Sequence, residues 1–185
     1  PAVLIALVFG VLVNRGVDQW FSTNVRSAVE NGAEIGRAYV ADVGAGSGYF
    51  TLKMASLVGS GGTVYANDIQ PGMLDIIRGK MNGTSIKNVR LVLGTGDDPK
   101  LPAATFDLVL MVDVYHEFHQ PQAMLKHIHA ALKPGGRLVL LEYRAEDPKV
   151  PIRRDHKMSV ATAKLEVEAE GFKLASVNED LPWQH

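Results

Sequence analysis

The chain has 185 residues, of which 46% are hydrophobic and 21% are charged, a balance typical of one globular domain rather than a disordered chain. Its 19 lysines and arginines against 20 aspartates and glutamates create no overall positive field, so nucleic acid is not an expected partner. The absence of cysteine excludes disulfides, thiolate metal sites and a cysteine nucleophile, and fits a cytoplasmic location.

The chain begins with an apolar stretch at residues 2–13, which is shorter than the roughly 20 residues that a helix needs to cross a bilayer. Such a stretch is typical either of part of a membrane or signal segment or of a buried helix, and the sequence leaves both interpretations open. We assign residues 1–37 to this apolar segment and a helix that covers the domain. Membrane association through residues 2–13 follows from the first interpretation.

From residue 38 to 185, short apolar runs rich in β-branched residues alternate with longer amphipathic stretches. The predicted strands are residues 39–43, 63–67, 89–93, 108–112, 137–142 and 172–177. The predicted helices are residues 50–58, 72–81, 120–132 and 158–170. This alternation predicts an α/β fold, a three-layer α/β/α sandwich with a mostly parallel sheet and a ligand crevice at the carboxyl ends of the strands.

The first predicted strand runs into a glycine-rich loop, Asp42-Val43-Gly44-Ala45-Gly46-Ser47-Gly48, and then into a helix. Residues without a β-carbon let the backbone approach a ligand closely, and the helix start offers free N–H groups to a nucleotide-like cofactor. Asp68 lies 20 positions after Gly48, at the end of the second strand, where a carboxylate can accept the ribose hydroxyls of an adenosine. Alternatively, Asp68 is an exposed cap of the helix that starts near Pro71.

The details of the loop favour a sulfonium cofactor over a dinucleotide. In the dinucleotide fingerprint the third glycine comes one residue later, where this chain has Tyr49. Asp42 would repel a pyrophosphate but attract the cationic amino acid part of S-adenosylmethionine. An NAD(P)-dependent oxidoreductase is therefore the second interpretation, and a non-catalytic S-adenosylmethionine-binding protein is the third.

Five blocks of the chain resemble class I, or Rossmann-like, S-adenosylmethionine-dependent methyltransferases in order and spacing between about residues 38 and 178. They are residues 42–48, 67–74, 94–98, 106–112 and 132–138. The resemblance implies methyl transfer and a sheet completed by an antiparallel strand. This chain ends near the point where that strand begins, so we expect the strand to be truncated.

The same resemblance implies which residues border the cofactor. They are Asp42, Gly44, Ala45, Gly46, Gly48, Asp68, Ile69, Met73, Gly96, Asp97 and Met111. The third block departs from the family pattern, because Thr95 stands where the family commonly has aspartate. The resemblance implies that the loop of residues 94–98 reaches the adenine, with Asp97 as its side chain there, although this departure weakens the match at that position.

Methyl transfer from a sulfonium requires mainly alignment of the acceptor, and a base only when the acceptor carries a proton. His116 is the predicted base, with Tyr115 and Glu117 as positioning groups, because they follow the fourth strand at its carboxyl end. The alternative is that His116 only hydrogen-bonds the loop backbone. No metal is expected, since His116 and His119 are three positions apart, whereas the helical zinc motif needs four.

The acceptor is less defined by the sequence than the cofactor. The chain has no Asn-Pro-Pro-Tyr loop of the kind associated with amide or adenine amino methylation, and without cysteine it cannot use the covalent cytosine mechanism or thiol-dependent arsenic methylation. A small molecule is therefore the leading acceptor class, with a lipid or quinone next because of the apolar N-terminus. Residues 153–157 are predicted to be a solvated basic loop, with an anion site as the alternative. The oligomeric state is left open.

Overall fold

The computed structural model describes residue 19, residues 21–23, residue 26 and residues 37–185. Within these residues, five strands form one sheet. They are β1 (Tyr39–Val43), β2 (Thr63–Asp68), β3 (Val89–Leu93), β4 (Phe106–Val112) and β5 (Leu132–Leu141). The strand order is β3-β2-β1-β4-β5 and every neighbouring pair is parallel, so the order reverses at β1 and β4, where ligands bind in such sheets.

Within residues 37–185, four α-helices and two short 3-10 helices connect or follow the strands. They are α1 (Tyr49–Val58), α2 (Pro71–Met81), α3 (Pro121–Ala131) and α4 (Val160–Ala169), and the 3-10 helices Tyr115–Glu117 and Arg154–His156. Proline starts α2 and α3, where its missing N–H costs nothing and its fixed φ suits a helix. All four predicted helices are confirmed, with shifts of one or two residues at their ends.

The core lies on both faces of the sheet, as the alternation of β4 shows. Leu108 and Leu110 pack with Met54 of α1 on one face, whereas Val109 and Met111 pack with Leu125 of α3 on the other. Each such fully buried side chain stabilises the fold by about 1.5–3 kcal/mol relative to exposure. The three-layer prediction is therefore confirmed.

The fifth strand begins earlier than predicted. Phe106 pairs with Leu132 and Leu108 pairs with Arg137, so residues 133–136 bulge out between two paired segments of β5. Gly135 takes a positive φ of 81° there, and a β-carbon on Gly136 would lie 2.8 Å from the Phe106 carbonyl oxygen. The predicted Pro-Gly-Gly turn is thus a bulge within the strand.

The predicted strand at residues 172–177 is wrong, because these residues have no regular structure. Leu174 and Val177 are 47% and 40% exposed, so their apolar side chains have no covering layer, and no described strand pairs with them. A strand without a neighbour leaves its backbone groups to water. Instead, the last residues lie antiparallel beside the extension of β5, since Glu142 and His185 exchange two backbone hydrogen bonds of 3.1 Å. Tyr143 and Gln184 form an antiparallel bridge there.

Part of the predicted covering helix lies among the described residues. Phe21 is helical and 1% exposed, and its ring lies 5.2 Å from that of Phe50 between centroids. The predicted apolar segment at residues 2–13 lies outside the described residues, and the domain boundary at residue 37 stays a prediction. Among the residues that the structure describes, no helix combines the length and apolar character needed to span a membrane.

Candidate active site

The glycine loop between β1 and α1 leaves one side of its backbone bare. Gly44, Gly46 and Gly48 have positive φ values of 73°, 51° and 82°, which side chains other than glycine rarely adopt. A β-carbon on Gly44 would lie 2.4 Å from Val114, and one on Gly48 would lie 2.7 Å from Ile77, so packing also requires glycine there. A β-carbon on Gly46 meets no atom within 4 Å, so a ligand can approach the loop at Gly46.

Asp68 joins this loop to the end of β2. Its side chain is 7% exposed, with Oδ2 accepting the Gly46 N–H at 2.9 Å and Oδ1 accepting the Gln70 N–H at 2.8 Å. The alternative of an exposed cap is therefore only partly right, since Asp68 does bind the residue before α2 but is buried. A carboxylate has about four acceptor positions, so two remain for ribose hydroxyls.

Asp42 lies beneath the loop rather than on its surface. It is 2% exposed, and its Oδ2 accepts the Thr51 hydroxyl at 2.6 Å. Burial, opposed by the Thr51 hydrogen bonds and reinforced by the charge of Asp68, raises the pKa of Asp42 to about 6. The predicted attraction between Asp42 and the cationic end of the cofactor stays a prediction, and Thr51 is the partner that the sequence reasoning missed.

The remaining predicted cofactor residues fall into exposed and buried groups. Ile69 is 57% exposed beside Asp68, Met73 is half-buried on α2, and Gly96 has no neighbour that a β-carbon would meet. Asp97 is exposed and accepts the Thr95 hydroxyl at 2.6 Å. Ala45 and Met111 are buried, so Met111 could border a cofactor only through its backbone.

The segment after β4 rests directly on the glycine loop. Val114 fills the space above Gly44, and the 3-10 helix Tyr115–Glu117 follows at once. The three predicted catalytic residues therefore directly follow the residue that packs on the cofactor loop. They differ in exposure, because Tyr115 is buried, the His116 side chain is 4% exposed and Glu117 is exposed.

Glu142, directly after β5, holds this segment in place. It is 1% exposed, and its Oε1 accepts the backbone N–H groups of Val114 at 3.1 Å and Tyr115 at 2.8 Å. Its Oε2 lies 2.7 Å from Nδ1 of His116. Sequence reasoning missed Glu142, although a carboxylate that ends an apolar parallel strand is a usable signal.

His116 is enclosed by acidic groups and a second histidine. Its Nε2 lies 3.1 Å from Nδ1 of His156, and its Nδ1 lies 3.9 Å from the Asp113 carboxylate. Burial lowers the pKa of His116, but the hydrogen bond to Glu142 and the charges of Glu142, Asp113 and Glu117 outweigh it, so the pKa is raised above its ordinary value. The alternative, that His116 only hydrogen-bonds the loop backbone, does not fit these contacts, because both ring nitrogens lie against side chains, those of Glu142 and His156.

Two further predicted features, Tyr115 and the loop at residues 153–157, make specific contacts. The Tyr115 hydroxyl donates to Glu166 of α4 at 2.8 Å, and its role in orienting an acceptor stays a prediction. The loop at residues 153–157 is solvated at Arg153, which is exposed and pairs with Asp155. The prediction of a solvated loop is wrong for His156, which is half-buried against His116.

The chain matches the methyltransferase-domain family over residues 40–136, more than half of its length. Among solved structures, it resembles an S-adenosylmethionine-dependent methyltransferase from Aquifex aeolicus with a TM-score of 0.76 and 25% identity, covering 86% of this chain and 85% of that one.

Two curated relatives are similar to the central part of the chain. One is a ubiquinone/menaquinone biosynthesis C-methyltransferase from Marinomonas sp., 34% identical over 56% of this chain and 42% of that protein. The other is a demethylmenaquinone methyltransferase from Geobacillus sp., 32% identical over 55% of this chain and 43% of that protein. The matched part thus spans about two fifths of these relatives.

The fold, the glycine loop and the family match lead to one class. The chain belongs to the methyltransferase-domain family and has the fold of class I S-adenosylmethionine-dependent methyltransferases. The bare backbone at Gly46 and the buried carboxylate of Asp68 fit the cofactor of this family, S-adenosylmethionine. Neither the family match nor the structural neighbour supports the alternative of an NAD(P)-dependent oxidoreductase.

Proposed function

We propose that this chain transfers the methyl group of S-adenosylmethionine to a ring carbon of a small aromatic acceptor of the reduced quinone class. One structural observation carries the proposal: a histidine with a buried carboxylate behind it stands on the loop that packs against Gly44. The names of the Marinomonas and Geobacillus relatives, which refer to quinone C-methylation and to demethylmenaquinone, support the acceptor class.

A hydroquinone needs the kind of group that this site offers. Its ring carbon becomes strongly nucleophilic once a ring hydroxyl loses its proton, so a base at the site accelerates methylation. We propose that His116 serves this proton transfer, as its place after β4 predicts, with Glu117 and Tyr115 orienting the acceptor. Bound S-adenosylmethionine supplies an electrophilic methyl group whose bonding electrons stay on sulfur.

We further propose that the predicted cofactor residues hold the cofactor in two parts. Asp42 and the loop from Gly44 to Gly48 would hold its amino acid end, since Asp42 contributes negative charge beneath that loop. Asp68, Ile69, Met73 and the loop of Gly96 and Asp97 would border the adenosine. Met111 would contribute through its backbone, because its side chain is in the core.

The apolar acceptor class is compatible with a cytoplasmic chain that works at a membrane surface. Attachment through residues 2–13 remains part of the proposal, and so does a lipid as the second acceptor class. Neither is needed for the chemistry at His116.

The direct test is product formation from a defined acceptor. Incubation of the chain with S-adenosylmethionine and a reduced naphthoquinone should give a ring-methylated product by mass spectrometry, together with S-adenosylhomocysteine. The oxidised naphthoquinone, which has no ring hydroxyl to deprotonate, is the matched negative control. Cofactor binding by calorimetry without product from the reduced quinone or from lipid acceptors would favour the non-catalytic alternative.

A further inference from the structure

Three side chains from different parts of the chain form one line of hydrogen bonds. Glu142 Oε2 lies 2.7 Å from His116 Nδ1, and His116 Nε2 lies 3.1 Å from His156 Nδ1. We propose that Nε2 of His156 is the atom that takes the acceptor's proton, and that His116 and Glu142 are the groups behind it that hold the resulting charge. This inference rests on the proposed methyl transfer to a hydroquinone.

Accessibility separates the two histidines. The His116 side chain is 4% exposed, and both of its ring nitrogens already have partners. His156 is half-buried on a separate 3-10 helix, and its Nδ1 faces His116. A base must come within about 3 Å of the proton that it removes, so the outer histidine is the one that an acceptor can reach.

The hydrogen-bond directions follow from Glu142. Its carboxylate accepts from two backbone N–H groups through Oε1, and on Oε2 it accepts from His116, whose Nδ1 therefore carries hydrogen. When both rings are neutral, His116 Nε2 is bare and accepts from His156 Nδ1. The remaining nitrogen, His156 Nε2, is then bare as well and is available to the acceptor.

The proton transfer balances along this line. The hydroxyl O–H bond of the acceptor breaks and an N–H bond forms at His156 Nε2, while the proton on His156 Nδ1 moves to His116 Nε2. The positive charge then lies on the buried ring next to Glu142, a stable place for it. The electron pair freed on oxygen enters the ring, whose carbon bonds the methyl group. That carbon then loses its own proton to water, and the histidines return theirs to the oxygen.

Charged groups face this line from several elements. Asp113, Glu117 and Glu142 surround His116, and Asp155 is adjacent to His156 on its 3-10 helix. The charges around His116 keep its pKa above the ordinary histidine value. Because only the neutral pair can accept a proton, we expect the methylation rate to rise with pH through this raised pKa and then to level off.

The same residues have a competing use as metal ligands. Two sets of side chains offer ligand atoms within 4.8 Å of one another: His116, Glu117 and His156, and Asp113, His116 and Glu142. A metal shared by the two histidines would need His116 Nε2 and His156 Nδ1 both free of hydrogen, and a metal in the second set would need a bare His116 Nδ1. The proton path instead needs hydrogen on Nδ1 of both rings, so the positions of these hydrogens distinguish the uses.

The first experiment reads the hydrogen positions in the whole chain, labelled with nitrogen-15, by long-range proton–nitrogen NMR in alkaline buffer. We expect hydrogen on Nδ1 and a bare Nε2 in both His116 and His156. In Glu142→Gln the amide N–H should donate to His116, which reverses both rings and lowers the pKa of His116. A bare His116 Nδ1 in the unaltered chain would overturn the proposal, as would stoichiometric zinc bound at His116 and His156.

The second experiment measures methylation of the reduced naphthoquinone. His156→Asn keeps an amide donor toward His116 but has no basic nitrogen, and we expect a loss in kcat of about 10²–10⁴-fold with unchanged S-adenosylhomocysteine affinity. His129→Asn, an exposed histidine of α3 packed on Phe172, is the matched control and should keep full activity. Full activity of His156→Asn would overturn the proposal. If the unaltered chain shows the expected hydrogen positions but makes no product, the proposed function alone has failed.

Discussion

The backbone N–H of Gly46 donates to the carboxylate of Asp68 at 2.9 Å, and this bond ties the loop after β1 to the end of β2. The same carboxylate accepts from Gln70, so one side chain fixes the shape of the cofactor loop and the start of α2. Cofactor affinity and loop geometry therefore depend on the same oxygens.

Replacing Asp68 with asparagine tests this dual role. The asparagine amide keeps one acceptor oxygen, but its N–H₂ group faces the backbone N–H of either Gly46 or Gln70, so two donors meet and one hydrogen bond is lost. The neutral oxygen is also a weaker acceptor for the ribose hydroxyls. We expect S-adenosylhomocysteine affinity to fall about 10–100-fold, equivalent to about 1.5–3 kcal/mol, by calorimetry. Asp75→Asn, an exposed residue of α2 paired with Arg78, is the control and should leave affinity unchanged. Equal affinities in both variants would contradict the assignment of Asp68.

Replacing Asp42 with asparagine tests its buried charge. Burial raises the pKa of Asp42 from 3.8 to about 6, so the folded chain binds this proton more tightly than the unfolded chain does. The contribution to the free energy of unfolding is complete below about pH 4 and is lost as pH rises through about 6, with an upper limit of about 3 kcal/mol. The asparagine side chain still offers Thr51 an oxygen, so the variant should be more stable at neutral pH but should bind the cationic cofactor less tightly.

Urea unfolding across this pH range measures the first effect of Asp42→Asn, and calorimetry with S-adenosylmethionine measures the second. The unaltered chain should lose stability relative to the variant between about pH 4 and 6. Parallel pH curves would show that Asp42 does not titrate there, and unchanged affinity would show that its charge does not attract the cofactor.

Contacts between residues that are close in the sequence could be predicted, whereas contacts between distant residues could not. The glycine loop is readable because its strand, loop and helix are consecutive, and the site of Asp68 because a second parallel strand ends at the same edge. The line from Glu142 through His116 to His156 joins residues 26 and 40 positions apart, and spacing alone does not bring them together. The expected strand at residues 172–177 failed for a related reason, because a strand depends on a neighbour that its own sequence does not specify.

Substitutions at three glycines distinguish a glycine that packing requires from one that leaves room for a ligand. Gly44→Ala would place a β-carbon 2.4 Å from Val114 at a φ of 73°, so we expect a loss of more than about 2 kcal/mol in unfolding free energy. Gly46→Ala meets only open space at a φ of 51°, so it should cost about 1–2 kcal/mol but should weaken cofactor binding directly. Gly79→Ala, in open space on α2, should stabilise the chain by about 0.5–1 kcal/mol.

Thermal unfolding and calorimetry with S-adenosylhomocysteine on these three glycine variants give the comparison. If Gly46→Ala binds the cofactor as tightly as Gly79→Ala does, the bare side of the loop is not where the ligand lies.

The hydroxyl of Tyr115 has either a structural role or a role in orienting the acceptor, and replacing Tyr115 with phenylalanine distinguishes the two. It donates to Glu166 of α4 at 2.8 Å, and burial, the bond to Glu166 and nearby carboxylates raise the pKa of Tyr115, so the hydroxyl stays neutral. Tyr115→Phe removes a donor from a carboxylate while keeping the ring, which should destabilise the fold by about 1–3 kcal/mol. If the hydroxyl serves structure alone, KM for the reduced naphthoquinone and the pH profile stay unchanged at temperatures well below unfolding. A KM raised at least tenfold at a temperature where the variant is fully folded would instead place the hydroxyl on the acceptor, as the sequence predicts. Glu166→Gln, which removes the charge but leaves the phenol an oxygen acceptor, is the matched control and should leave KM unchanged.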